Sequence, residues 1–410
     1  MSFNKSKLAV AVAAAAGLTF SSGAFATNGI IQAGNGMVAH GFGGAGLSNA
    51  GEAAAGMDNP ALISQTGDSV SVAWSMFSPD RNVSQSITGI DSSSDAKMFG
   101  IPQVAFTSKI NNSMSWGIMA YAMGGMNSDY RSGPNLNSGA CPGPACPTPS
   151  YASPQSVDLS GMIIAPSLSF AVAKDVSIGA SLLIGYENLR VRNMFGQAIY
   201  GLGTNEGSTM AYGVKLGVDA KVADGISVGA MLQPKMSAEE FGFFKNQLAG
   251  FGFSGDAELV LPNEFGVGAK FAVGKNADII ADVMYYQWSS VDVFDFFGWE
   301  DQFVYKVGAE FRPSDKLALR AGINYGESPI KGGTILPATG MDAATANYPF
   351  PAVSTTHITV GMGYKLDKNV TFNAYYLYSP ENKETSTDGS GVSIKMSQNA
   401  FGLGLNYAAK

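Results

Sequence analysis

The chain has 410 residues, 46% hydrophobic but only 14% charged, with 51 glycines, two cysteines, two histidines and a formal net charge of −7. That balance excludes intrinsic disorder, which needs low hydrophobicity and high net charge, and the acidity excludes a nucleic-acid binder, which needs a basic footprint. No apolar run reaches the ~20 residues of a spanning helix, the longest being Leu8 to Phe20; a large soluble β protein or a membrane β-barrel remains.

The first 26 residues read as a secretory signal peptide. Lys5 and Lys7 form its positive start, Leu8 to Phe20 its apolar middle, and Ala24-Phe25-Ala26 a small-x-small cleavage site. Their removal takes both lysines, so the formal charge becomes −9. Residues 27–67 are rich in Gly and Ala, show no strand alternation and end in Asp58-Asn59-Pro60-Ala61. They are too few for a domain of their own and suit a plug inside a barrel, with a loose tail as the alternative.

From Ser69 onward the pattern has period two, as in strands with one apolar face. In one such stretch Tyr212, Val214, Leu216 and Val218 oppose Gly213, Lys215, Gly217 and Asp219. Short polar turns such as Ala223-Asp224-Gly225 and Gly274-Lys275-Asn276 alternate with long connections at 126–155, 191–208, 241–256, 293–301, 327–352 and 380–392. That layout predicts an all-β fold, a 14-stranded antiparallel transmembrane β-barrel over 68–410. The strands are expected near 69–84, 97–109, 114–125, 156–173, 176–190, 209–222, 226–238, 257–273, 277–291, 302–312, 316–326, 353–366, 369–379 and 393–407. Trp74, Trp116, Tyr186, Tyr285, Tyr286, Trp288 and Tyr325 lie near strand ends and suit the aromatic girdles of such a barrel.

Several stretches resemble the FadL/TodX family of outer-membrane transporters for long-chain fatty acids and other hydrophobic compounds. His40-Gly41-Phe42-Gly43-Gly44-Ala45-Gly46, then Gly51-Glu52, then Asn59-Pro60-Ala61 look like that family's N-terminal plug. Leu259-Val260-Leu261-Pro262 with Tyr286-Gln287-Trp288-Ser289, and Arg320-Ala321-Gly322-Ile323-Asn324-Tyr325 with Ser328-Pro329, resemble its later strands. The resemblance implies a fourteen-stranded barrel blocked by a small hatch, capture of apolar ligand at outer loops, and a wall opening near the third strand. It also implies the outer membrane of a Gram-negative bacterium. The chain departs from the family's habit of ending on an aromatic residue, since it runs on as Tyr407-Ala408-Ala409-Lys410.

Five groups are candidate site residues. Asn59, Pro60 and Ala61 form a gate with Gly124 and Gly125: the proline holds a bend, and the glycine pair breaks the third strand. Phe241, Phe243, Phe244, Leu248, Phe251 and Phe253 crowd one outer loop and are a candidate capture surface or a packed loop core. Lys306 and Arg320 face the lumen by the alternation, to meet a ligand carboxylate or pair with neighbours such as Glu310. Cys141 and Cys146 are expected to form a disulfide in an exported loop. Gly41-x-Gly43-x-x-Gly46 spells a dinucleotide fingerprint but lacks the strand and helix that motif needs.

The reading is a diffusion channel for hydrophobic molecules, not an enzyme, needing no cofactor or metal. Its partners are fatty acids or hydrocarbons and outer-membrane lipid, with no nucleic acid, and it acts as a monomer. A general porin for polar solutes and a surface interaction protein are the alternatives.

Overall fold

The structure, a computed structural model, describes residues 28–87, 89–130, 155–192 and 204–409. The strands are β1 (Ser69–Gln85), β2 (Ile90–Ser93), β3 (Phe99–Lys109), β4 (Met114–Asp129), β5 (Ser156–Ala173), β6 (Val176–Arg192), β7 (Thr204–Ala223) and β8 (Ile226–Gln233). They continue as β9 (Ser237–Ala238), β10 (Asn263–Val273), β11 (Ala277–Gln287), β12 (Gln302–Phe311), β13 (Leu317–Gly326), β14 (Thr356–Lys365), β15 (Val370–Thr385) and β16 (Val392–Ala408). The short β2 and β9 are side additions to β1 and β7; the other fourteen pair antiparallel in chain order. The wall closes where β1 meets β16, from Ser69 opposite Ala408 to Gln85 opposite Val392. Closure leaves no free edge, the condition for strands to lie in lipid.

The two faces are inverted relative to a soluble protein. On β7 Val214, Leu216 and Val218 are exposed while Lys215 and Asp219 are buried; on β12 Phe303, Tyr305 and Val307 are exposed while Lys306 is buried. An apolar outer band with charges turned inward is the arrangement bilayer lipid favours. The short turns use glycine where the backbone needs positive φ, as at Gly225 and Gly274.

Inside the wall lies the N-terminal segment, wound into α1 (Gly36–Gly41), α2 (Ala55–Asp58), a 3₁₀ turn at Pro60–Leu62 and α3 (Ile63–Thr66). Pro60 opens the 3₁₀ turn, and Asn59 caps it by accepting the Ala61 N–H. At the opposite end the long connections carry α4 (Gly242–Ala249), α5 (Asp292–Phe296) and α6 (Ala343–Ala346).

Three expectations are corrected. Residues 257–262 are not strand: Leu259, Val260 and Leu261 are buried one after another in a connection, a run whose apolarity comes from loop packing. The third wall strand does not stop near 125 but runs on to Asp129, with a bulge between Ala122 and Gly124 beside the glycine pair. Tyr286 and Trp288 do not join an outer girdle. Tyr286 points inward and Trp288, in a 3₁₀ turn after β11, is fully buried among Phe294 and Trp299.

Candidate functional site

The lumen segment is held to the wall by polar groups scattered over most strands. Asp282 on β11 accepts from the Gly46 and Leu47 N–H groups at 2.7 and 3.1 Å. Thr359 on β14 accepts from Gly43 N–H at 2.9 Å, and Gln103 on β3 from Gly36 N–H. Asn59 donates to Leu47 O at 2.7 Å and to Val218 O of β7 at 3.0 Å. Ala61 O accepts from Ser169 of β5. Each bond contributes about 0.5–1.5 kcal/mol net, so the seating is distributed.

Wall glycines make this contact possible. A Cβ at Gly217 would lie 1.9 Å from Asn59 Oδ1, one at Gly179 2.3 Å from the Pro60 carbonyl carbon, and one at Gly322 2.2 Å from Gly43 N. The Gly41-x-Gly43-x-x-Gly46 spelling is likewise backbone packing: Gly41 lies against Gly361 of β14.

Lys306 and Arg320 do face the lumen, but both are committed. Lys306 donates to Ala33 O at 2.7 Å. Arg320 pairs with Glu310 at 2.7 Å, reaches Asn373 at 3.1 Å and lies over the Phe42 ring. Lys215 donates to Met57 O at 2.9 Å. The two lysines serve the segment, and Arg320 serves Glu310 and Asn373 of the wall.

The gate residues fall in two places. Asn59, Pro60 and Ala61 abut β5, β6 and β7, away from Gly124 and Gly125 on β4. The glycine pair meets a different part of the segment: Gly125 N–H donates to Ile30 O at 3.4 Å, and a Cβ at Gly124 would lie 2.9 Å from that oxygen. Here the wall is incomplete. β3 and β4 pair only from Val104 opposite Ala120 to Lys109 opposite Ser115. Beyond, Phe99 to Gln103 stay on β1 and Tyr121 to Asp129 stay on β5. At the far end of β4 the partner is the connection before β3: Asp129 O accepts from Asp95 N–H at 2.7 Å and Ser94 Oγ accepts from Asp129 N–H. Along this break β4 loses its alternation and is buried on both faces from Ala120 to Met126, with Ile30 of the segment against Gly124 and Gly125.

The outer phenylalanines divide. Phe241, Phe244, Leu248 and Phe253 are buried, while Phe243 and Phe251 are half-buried. Phe253 packs on Phe296 of the next connection at 5.2 Å. Phe243 reaches over the wall to Gly207 of β7. Cys141 and Cys146 lie outside the described residues. His40 stacks on Tyr375 and bonds Gly36 O; among the described residues no His, Cys, Asp and Glu group is placed to hold a metal.

Residue-level reading of the sequence missed Gln103, Asp282 and Thr359, which meet the lumen segment, since single polar residues on an inner face carry no local signal; Ile30 of the segment, whose carbonyl meets β4, was missed as well. It also missed Glu187 on β6, which is fully buried.

The sequence matches the family described as outer membrane protein transport protein (OMPP1/FadL/TodX) over residues 12–410. No curated protein matches it. Among solved structures, the chain is similar to the Pseudomonas putida toluene transporter TodX, at 16% identity and TM-score 0.69, over 92% of this chain and 99% of that one. It is also similar to a Pseudomonas aeruginosa FadL homologue, at 14% identity and TM-score 0.66, over 93% and 100%. The Ralstonia pickettii toluene transporter TbuX matches at 16% identity and TM-score 0.61, over 92% and 99%.

Proposed function

The chain belongs to the OMPP1/FadL/TodX family of outer-membrane transport proteins, and from that premise we propose that it passes hydrophobic compounds through an opening in its own wall. Apolar ligand is caught at the half-buried Phe243 and Phe251, enters the lumen above the N-terminal segment, and leaves sideways between β3 and β4. The segment is the plug. Its Ile30 sits on the broken ladder, so it must shift for ligand to pass.

The observation that carries this reading is the β3–β4 break. Unpaired backbone is not tolerated against lipid unless protein covers it, and here plug residues do the covering. The ligands best suited are uncharged, such as monoaromatic or aliphatic hydrocarbons. Three lumen cations, Lys215, Lys306 and Arg320, already bind plug carbonyls or Glu310 and are not open to a fatty carboxylate.

A crosslink tests it. A Cβ at Gly124 would lie 3.5 Å from Ile30 Cγ1, within reach of disulfide geometry. In a background without Cys141 and Cys146, Ile30→Cys with Gly124→Cys should form a bond that stops toluene uptake, and reductant should restore it. Full crosslinking with undiminished uptake overturns the lateral route.

A further inference from the structure

Glu187 sits on the inner face of β6, toward the long-loop end, and is wholly buried. Neither carboxylate oxygen has a hydrogen-bond partner among the described residues. Directly across the ladder on β7 stands Thr209, whose buried hydroxyl is also unpaired. Across the other ladder stands Gly161 of β5, which adds no side chain. A buried carboxylate without partners is expensive and calls for an explanation. No cation supplies it. The electrostatic neighbour of Glu187 is another acid, Glu258, which itself pairs with Lys235 at 3.4 Å.

The surroundings are apolar and adaptable. Leu189 follows Glu187 on the same inner face and is buried, as is Leu159 across the ladder from it. Met123 packs against the Gly161 and Gly185 positions beside Glu187, and Met236 against Gly185 and Gly213. Thioether side chains repack readily around an apolar guest. The position also lies on the proposed route. Phe243 stands over Gly207, one inner-face step above Thr209 on β7, and Met123 belongs to the bend of β4 at the wall break.

We propose that Glu187 and Thr209 form a recognition site for apolar ligands bearing one uncharged hydrogen-bond donor, such as phenols or alcohols. This rests on the transport reading and narrows its substrate class. The ligand's O–H donates to a Glu187 carboxyl oxygen, Thr209 donates to the ligand oxygen, and the apolar body lies against Met123 and Met236.

The test compares propylbenzene and 4-propylphenol on purified full-length protein at pH ~7, where a phenol is neutral. Equilibrium dialysis should give the phenol at least about tenfold tighter than propylbenzene. Glu187→Leu should bring the phenol down to propylbenzene's affinity and leave propylbenzene unchanged, with heat-modifiable gel mobility verifying a folded barrel. Glu187→Gln, which keeps an acceptor, should retain part of the phenol preference. A wild-type protein that binds phenol no tighter than propylbenzene, or a preference that survives in Glu187→Leu, overturns the site while leaving the transport reading intact. Failure of propylbenzene itself to bind overturns the transport reading and this site with it.

Discussion

Two buried plug residues with opposite titration behaviour hold the seating of the segment level against pH. Burial pushes the Glu52 carboxyl up to about 7 from 4.5, although Val38 N–H donates to it at 2.7 Å and Arg320 lies near; Asp58 pushes the same way as burial. Burial pushes His40 down to about 4 from 6.5, against its bond to Gly36 O and with help from the Lys306 charge. The seated carboxyl holds its proton more tightly than the free one, so its contribution weakens as pH rises from 4.5 to about 7. The seated imidazole resists its proton, so its contribution weakens as pH falls from 6.5 to about 4. Where the windows overlap the two slopes oppose each other. Asp58, also raised by burial, acts in the same sense as Glu52 and stays in place in a Glu52 variant. Glu52→Gln therefore leaves the histidine slope less opposed: its ion leakage in planar bilayers should climb on acidification more steeply than that of the wild type. Parallel profiles for the two proteins would contradict this.

Among the elements, β4 and the α4 connection show what a strand or loop does beyond its local pattern. β4 carries a bulge, the pair Gly124-Gly125 and a stretch buried on both faces, all beyond the point where its ladder to β3 stops. The α4 connection carries six large apolar side chains that serve two purposes. Phe244 and Leu248 are fully buried in the loop core, whereas Phe243 edges over the lumen rim at Gly207. Phe243→Ser should lower uptake of toluene at limiting concentration with little change in loop stability. Phe244→Ser should instead loosen the loop by at least ~1.5–3 kcal/mol, seen as faster proteolysis of the connection. Equal uptake defects without any proteolytic difference would show that the two rings do the same job.

At the scale of the whole molecule, the wall closes by its own ladder between β1 and β16, while the N-terminal segment is tied to it through side chains such as Asp282, Thr359 and Lys306. Deleting 28–66 should leave a folded barrel, since those polar groups then face water in an open lumen. Ion conductance in planar bilayers should rise several-fold over the intact protein. Conductance unchanged by the deletion would mean that the segment does not block the lumen, and would favour an open porin.

Sequence alone determined the barrel, its strand number and the face each strand turns to lipid. That information is local: a period of two states which side chains share a face, and a short polar turn or a long connection states which end the chain has reached. The burial of Lys215, Lys306 and Arg320 was legible in the same way. The tertiary structure alone decided what those inner-face residues meet. That Gly217 lies against Asn59, that Gly125 bonds Ile30, that Lys306 is taken by Ala33 O, and that Glu187 has no partner all depend on the register of strands and the path of a segment far away in the chain. The break between β3 and β4 is of the same kind. Ladder pairing belongs to two strands at once, and neither strand's own alternation states where its neighbour stops bonding to it.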